Sequence, residues 1–311
     1  MAVSRILVAV DLERNTDIVI GAALRLADKF SARLTLIHVA EALPAFTPAP
    51  GSFSIVTDGS IARYRTVALE KLKEIVAGFD PKVEFRTIVS EGHPVDLILD
   101  AVDGQAHDLI VMGTHGRRGV EHLLLGSKAA RVVRESPVPV FTVNTRDPAY
   151  RNLALTRLIL ATDFSPNAAA AESWALDIAR AYAADLVVVH VVEESFHPYL
   201  PYHVAGLDVA VPFETVFSGA VERYRQLLNQ TVTRLAASGV PCRGHLVGDA
   251  TSVADGLLRA AREEEARLLV LGTHGRAGID RALLGSVAER MVRLSPTAVL
   301  TVRSADTQPS R

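Results

Sequence analysis

Two constellations of small residues are where this sequence could do chemistry. Gly113, Gly116, Gly126 and Ser127 stand in the spacing G-x2-G-x9-G-S, and Gly272, Gly275, Gly285 and Ser286 repeat it. Each follows a short apolar run, Asp108-Leu-Ile-Val-Met112 and Arg267-Leu-Leu-Val-Leu271. Such a run ended by glycine reads as a buried parallel strand. The glycines open a loop, and each Gly-Ser pair precedes a helical stretch ending near Arg134 or Arg293. Serine is a good N-cap, and a helix start presents unpaired N–H groups and a partial positive charge. Glycine lacks Cβ, so an anion can approach those N–H groups closely. Strand, glycine-rich loop and helix start together suit phosphate binding. The spacing is neither the Walker loop, which needs Gly-Lys-Ser/Thr, nor the dinucleotide fingerprint.

The elements that must position these residues are themselves duplicated. Gly113 to Val143 and Gly272 to Val302 align without gaps with 19 of 31 positions identical, the mark of an internal repeat. Upstream in the first copy, Arg5–Val10 is a β-branched run stopping at Asp11, and Asp17–Phe30 has the spacing of an amphipathic helix. Arg33–Val39 is a second strand. Residues 41–60 contain three prolines and little periodicity, the mark of a long connection of the kind that forms lids or binding elements. A helix over 63–78, a strand over 83–89 and a helix over 95–102 complete the half. The second copy repeats this: strand 157–161, Asp163, an alanine-rich helix 168–182, strand 185–192, a long connection 193–218, helix 221–237, strand 243–247 and a helix ending before Leu268. Last strands follow at 138–143 and 298–302. This alternation predicts an α/β chain with two tandem doubly wound open parallel five-stranded sheets, helices on both faces. The boundaries read as a first domain over 1–145, a polar linker over 146–156, a second domain over 157–303 and a tail over 304–311. The offset between copies is 152 residues at Asp11/Asp163 and 159 at Gly113/Gly272. The seven extra residues are expected partly in the long connection and partly around Gly248–Asp255.

In such sheets ligands sit beyond the carboxyl ends of the strands, where strand order reverses. Asp11, Val39 and Gly113 converge there in the first half, and Asp163, Val191 and Gly272 in the second. With these upstream residues, the signature resembles the ATP-binding pattern of the universal stress protein family, G-x2-G-x9-G-(S/T), over nearly the whole chain. The resemblance implies two nucleotide-binding domains in which Asp11 and Val39, and Asp163 and Val191, frame the adenosine. It further implies that Gly113, Gly116, Gly126 and Ser127, and Gly272, Gly275, Gly285 and Ser286, hold phosphates. The implied ligand is ATP, alone or with Mg2+. The implied partners are an unidentified protein and a second copy of the chain, with the last strands pairing the two fused domains as an internal pseudo-dimer. The pattern departs at Glu13, where the family usually has a small residue such as Ser165. A second carboxylate turned toward an anionic ligand would weaken the first site.

Composition narrows the classes. At 311 residues, with 49% apolar content, the chain can bury two cores. A formal net charge of −2 gives no electrostatic case for nucleic acid or an acidic membrane surface. No apolar run approaches the roughly 20 residues of a membrane span. With Cys242 as the single cysteine and no signal-peptide layout, a cytoplasmic location is expected.

Plainer roles stand beside these functional ones. Asp11 and Asp163 could cap a helix or accept from turn amides. Arg117, Arg118 and Arg276 could pair with phosphate or be solvated. Lys128 would stand near phosphate, but Val287 holds its place in the second copy. His115 and His274 have no base or carboxylate at fixed spacing that would make them catalytic. His38 and His190 lie among apolar strand residues and read as structural. No zinc-ligand spacing is present. The expected function is a nucleotide-dependent switch or interaction module in the stress response, not an enzyme. The alternatives are a nucleotide-free interaction module and a slow ATP hydrolase.

Overall fold

The computed structural model describes residues 3–12, 15–41, 58–114, 126–165, 168–193, 202–204, 207–209, 213–273 and 284–303. The chain divides into two units, the first running from Met1 to Ala154.

In the first unit the apolar runs become β1 (Arg5–Val10), β2 (Arg33–Ala40), β3 (Phe85–Glu91), β4 (Leu109–Gly113) and β5 (Val140–Val143). Between them lie α1 (Thr16–Phe30), α2 (Asp58–Ala77), α3 (Pro94–Gln105) and α4 (Ser127–Glu135). The strand order is β5-β4-β1-β2-β3, and every neighbouring pair is parallel. Successive residues Ile6, Leu7 and Val8 are all fully buried. Side chains alternate faces along a strand, so this means that helices cover both sides of the sheet.

The second unit repeats the plan with β6 (Arg157–Ala161), α5 (Ala168–Tyr182), β7 (Asp185–Glu193), a short antiparallel hairpin of β8 (Tyr202–Val204) and β9 (Leu207–Val209), and α6 (Phe213–Ala236). Then come β10 (Cys242–Ala250), α7 (Val253–Glu263), β11 (Leu268–Gly272), α8 (Ser286–Leu294) and β12 (Ala298–Val302). Its order is β10-β7-β6-β11-β12, again parallel throughout. Leu268, Leu269 and Val270 are fully buried, as expected of a central parallel strand. Each unit is therefore a doubly wound sheet whose order reverses between its first and fourth strands.

One expectation is refined. The stretch expected as a polar linker is folded onto the first unit. Pro148–Arg151 forms a turn of 3-10 helix, and Tyr150 and Leu153 are each only 1% exposed. A Cβ on Gly21 of α1 would collide with the carbonyl oxygen of Arg151 and stand 2.8 Å from the Phe79 ring. The Arg151 guanidinium lies over that ring at 4.6 Å and pairs with Asp17 at 3.4 Å. The segment's polarity in sequence hid its two buried anchors.

The second copy's extra residues fall in the long connection and around the end of β10, as expected, with a loss of three between α6 and β10 that the sequence offset concealed. Tyr64 and Tyr224 each meet the equivalent strand histidine, His38 or His190. The histidines are 152 positions apart and the tyrosines 160, so the connection before α6 is eight residues longer. At β3 and β10 the offset falls to 157, with His38 beside Val89 and His190 beside Leu246. A bulge in β10 between Val247 and Ala250 brings it to 159 by α7.

Candidate nucleotide site

The loop bearing the signature is closed at its base by the backbone. In the first unit, Gly126 N–H donates to Thr114 O at 3.1 Å and Thr114 N–H donates to Val143 O at 3.0 Å. In the second, Gly285 N–H donates to Thr273 O and Thr273 N–H to Val302 O, both at 2.9 Å. These bonds place the start of α4 beside the end of β4, and the start of α8 beside the end of β11. Thr114 and Thr273 are 6% and 4% exposed, so the anchor is sheltered from water while the helix start stays accessible.

One expectation about the helix start is corrected. Ser127 and Ser286 are the first helical residues, not the caps; Gly126 and Gly285 occupy the cap positions with no side-chain cap bond. The first intrahelical bonds are made by Ala130 to Gly126 O at 3.1 Å and Glu289 to Gly285 O at 3.0 Å. The amides ahead of them in the first turn have no partner within the helix. A glycine cap contributes no oxygen to compete for these donors, and the serine hydroxyls sit exposed at the same end. That arrangement suits an anion better than a serine cap would.

The same ion pairs hold both helices in orientation. Arg131 of α4 reaches Asp96 of α3 at 3.1 Å, and Arg290 of α8 reaches Asp255 of α7 at 3.3 Å. These pairs are half-exposed and contribute little to stability; their effect is on helix placement. The Arg131 guanidinium is held further in its charged form by its hydrogen bond to Glu135, one turn further along α4.

Asp11 and Asp163 follow the ends of β1 and β6. β1 lies beside β4, with Ala9 opposite Met112, and β6 beside β11, with Leu160 opposite Val270. Each aspartate thus stands at the reversal point with Gly113 or Gly272. The residues after them, Leu12 and Phe164, both have φ of 60°, a left-handed backbone uncommon for a non-glycine side chain. The same strained turn occurs in both copies at the same place, and strain of this kind gathers at ligand sites. Asp11 Oδ1 accepts from the Thr16 hydroxyl at 3.4 Å. Asp163 Oδ1 accepts from Ser165 N–H at 3.0 Å, so its role as a turn acceptor is realised for that oxygen.

Val39 is half-buried near the end of β2. Val191 is 6% exposed, and a Cβ on Gly256 of α7 would lie 2.6 Å from its Cγ1. The Val191 side chain is therefore occupied in packing α7 onto β7. Gly116, Gly275, Glu13, His115, His274, Arg117, Arg118 and Arg276 lie outside the described residues. Among the described residues, no three His, Cys, Asp or Glu side chains form a metal-holding group, and no helix is long and apolar enough to cross a membrane.

The strand histidines are structural. His38 Nδ1 lies 2.9 Å from Val10 O and Nε2 lies 2.8 Å from the Tyr64 hydroxyl. His190 Nδ1 lies 2.7 Å from Thr162 O, and its ring sits 4.5 Å from both Phe164 and Tyr224. Tyr64 and Tyr224 were missed as residues of the strand-end region. Their signal was the repeated Arg-Tyr-Arg at 63–65 and 223–225, obscured because the offset there differs from that at the flanking motifs.

The comparisons agree with this architecture. The model of the Universal stress protein family matches residues 2–144 and again 155–303. The chain belongs to the universal stress protein family, as a tandem of two such domains. A universal stress protein of Mycolicibacterium smegmatis is 27% identical over 301 residues, covering 96% of each chain. One from Mycobacterium tuberculosis is 26% identical over 278 residues, covering 88% of each. Among solved structures, a universal stress protein from Archaeoglobus fulgidus has a TM-score of 0.68 at 19% identity, covering 97% of this chain and 99% of its own. That likeness establishes the fold.

Proposed function

We propose that this protein binds an adenine nucleotide, ATP alone or with Mg2+, in the crevice of each unit, and acts as a nucleotide-dependent switch or interaction module in the stress response. The observation that carries the reading is the closed loop base. Twice, Gly–Thr backbone bonds bring an uncapped helix start to the point where strand order reverses. Phosphate oxygens would accept from the first-turn amides beyond Gly126 and Gly285, with the Ser127 and Ser286 hydroxyls beside them. Gly113 and Gly272 leave room for the chain's close approach, and Asp11 and Asp163 at the strand ends would take the ribose hydroxyls. Occupancy biases conformation only to the extent that the nucleotide prefers one state. A protein partner, or a second copy of the chain, would read that bias.

Turnover is not part of this reading: steady hydrolysis above about 1 per second, the low end for enzymes, would replace it. The first test is to denature the freshly purified protein and examine the released small molecules by mass spectrometry. ATP or ADP at near-stoichiometric amounts supports the proposal. Repeated absence, together with no calorimetric response to added ATP, favours a nucleotide-free interaction module.

A further inference from the structure

The turn after the first strand of each unit has the same left-handed backbone, yet the two copies hold it differently. In the second unit the holding groups belong to the turn itself. Thr162 Oγ1 accepts from Phe164 N–H at 3.1 Å, and Asp163 Oδ1 from Ser165 N–H at 3.0 Å. In the first unit the place of Thr162 is taken by Val10, 152 positions earlier, and valine has no hydroxyl to accept from Leu12 N–H. There Lys71 of α2 reaches in, its ammonium donating to Leu12 O at 3.1 Å. Lys71 stands seven residues after Tyr64, about two helical turns, so both leave the same face of α2. The Tyr64 hydroxyl meets His38 Nε2 at 2.8 Å, and His38 Nδ1 lies 2.9 Å from Val10 O. That face of α2 therefore bears on the carbonyls before and after Asp11, the first through His38 and the second directly. Counted from the matched tyrosines, the place of Lys71 falls on Thr231, which carries no ammonium.

We propose that Lys71 is a positioning residue of the first crevice: by holding Leu12 O it keeps the turn in the form that presents Asp11 to a ribose, as Thr162 does for Asp163 in the second. This rests on the nucleotide reading above and deepens it. A left-handed leucine is costly and persists where its surroundings over-determine it. An ionised donor makes a stronger bond to a carbonyl than a neutral one, and Lys71 brings it across 59 positions of sequence. A tertiary contact in the first unit thus stands where a local one stands in the second. The Lys71 arm is exposed, while α2 is anchored by Leu72 and Val76, both fully buried, so the ammonium can be removed without loosening the helix. Its effect falls on the ribose end of the ligand, because Leu12 adjoins Asp11 and not the amides at the start of α4.

The test is photoaffinity labelling of the intact chain with 8-azido-ATP, labelled peptides being assigned to each unit, with unlabelled ATP, adenosine or inorganic tripolyphosphate as competitor. Lys71→Met is expected to weaken ATP and adenosine at the first unit about three- to fivefold, the loss of one hydrogen bond. Tripolyphosphate there, and all three competitors at the second unit, should be unchanged. Adding Val10→Thr installs the second unit's hydroxyl and is expected to restore most of the loss. Thr162→Val should produce the same pattern at the second unit alone. If Lys71→Met weakens ATP and tripolyphosphate but spares adenosine, Lys71 meets phosphate directly and the positioning role is wrong. It is equally wrong if both units weaken together, or if Val10→Thr restores nothing. If Lys71→Met changes nothing while ATP competes at the first unit, the positioning role falls and the nucleotide reading stands. If ATP competes at neither unit of the unaltered chain, the nucleotide reading falls, and the positioning role with it.

Discussion

At the scale of single residues, Gly256 shows how closely the site's frame is packed. Its absent side chain lets Val191 reach α7, and a Cβ there would also come within 3.0 Å of the Ala250 Cβ. Gly256→Ala should destabilise the second unit by about 1–3 kcal/mol through overpacking. Adding Val191→Ala should restore part of that loss, because it removes the atoms being struck. Urea midpoints of the two single variants and the double variant measure the coupling, and strict additivity would show that the contact is not what limits the position. Tyr64 offers a milder probe. Its hydroxyl bonds His38 Nε2, while the residue is 47% exposed. Tyr64→Phe should cost about 0.5–1.5 kcal/mol, a shift visible in thermal unfolding.

At the scale of elements, most of the fold was legible because each signal was local. Central strands such as β1 and β11 are unbroken apolar runs, helices such as α1 repeat apolar residues every three to four positions, and glycine ends β4 and β11. The signature glycines pointed to the candidate site for the same reason: backbone conformation and close approach depend on residue type at one position. What stayed hidden depends on contacts between distant positions. The Gly–Thr closure of the loop, the ion pairs from α4 to α3 and from α8 to α7, and the bond from Lys71 to Leu12 leave no trace in local pattern. Ser127 and Ser286 looked like caps because serine favours that role, yet Gly126 and Gly285 hold it. The stretch at 146–156 looked like a tether because Tyr150 and Leu153, which anchor it to the first unit, are separated by polar residues. A test belongs to this scale too. Gly21→Ala would force α1 away from Arg151, and should expose the amides around Tyr150 and Leu153 to hydrogen exchange without comparable change in β4 or β5. Unchanged protection there would show that the segment does not depend on α1.

At the scale of the whole molecule, the two units repeat one plan yet differ in their buried ionisable groups, so acid should affect them in different windows. In the first unit His107 is 3% exposed. Its Nδ1 lies 2.9 Å from Ala101 O and its Nε2 3.1 Å from the Thr35 hydroxyl, while Arg86 Nε donates to that hydroxyl at 3.0 Å. Burial is the main cause that lowers its pKa, with Arg86 and Arg5 adding to it. The stabilisation from keeping it neutral is complete above the unfolded value of about 6.5, and is lost as pH falls from there toward the folded value. In the second unit Glu264 is 7% exposed. It pairs with Arg243 and with His245 Nδ1 at 2.8 Å. The Arg243 hydrogen bond is the main cause that lowers its pKa. Its stabilisation is complete above the unfolded value of about 4.3, and is lost only as pH falls through the folded one. Hydrogen exchange followed from pH 8 to 4 should show α3 and β2 loosening before α7 and β10. The reverse order would contradict this assignment, and His107→Gln should remove the earlier step.

The repeated helix starts imply two equivalent backbone cradles per chain, which makes calorimetric titration with ATP the most direct measurement. Gly126 and Gly285 have φ of −56° and −58°, values that alanine adopts without strain, so Gly126→Ala and Gly285→Ala should fold and report on the crevices alone. The account predicts two ATP per chain in the unaltered protein, one lost or weakened at least about tenfold in each single variant, roughly 1.4 kcal/mol, and both in the double variant. No binding to the unaltered chain, or full binding to the double variant, would contradict it.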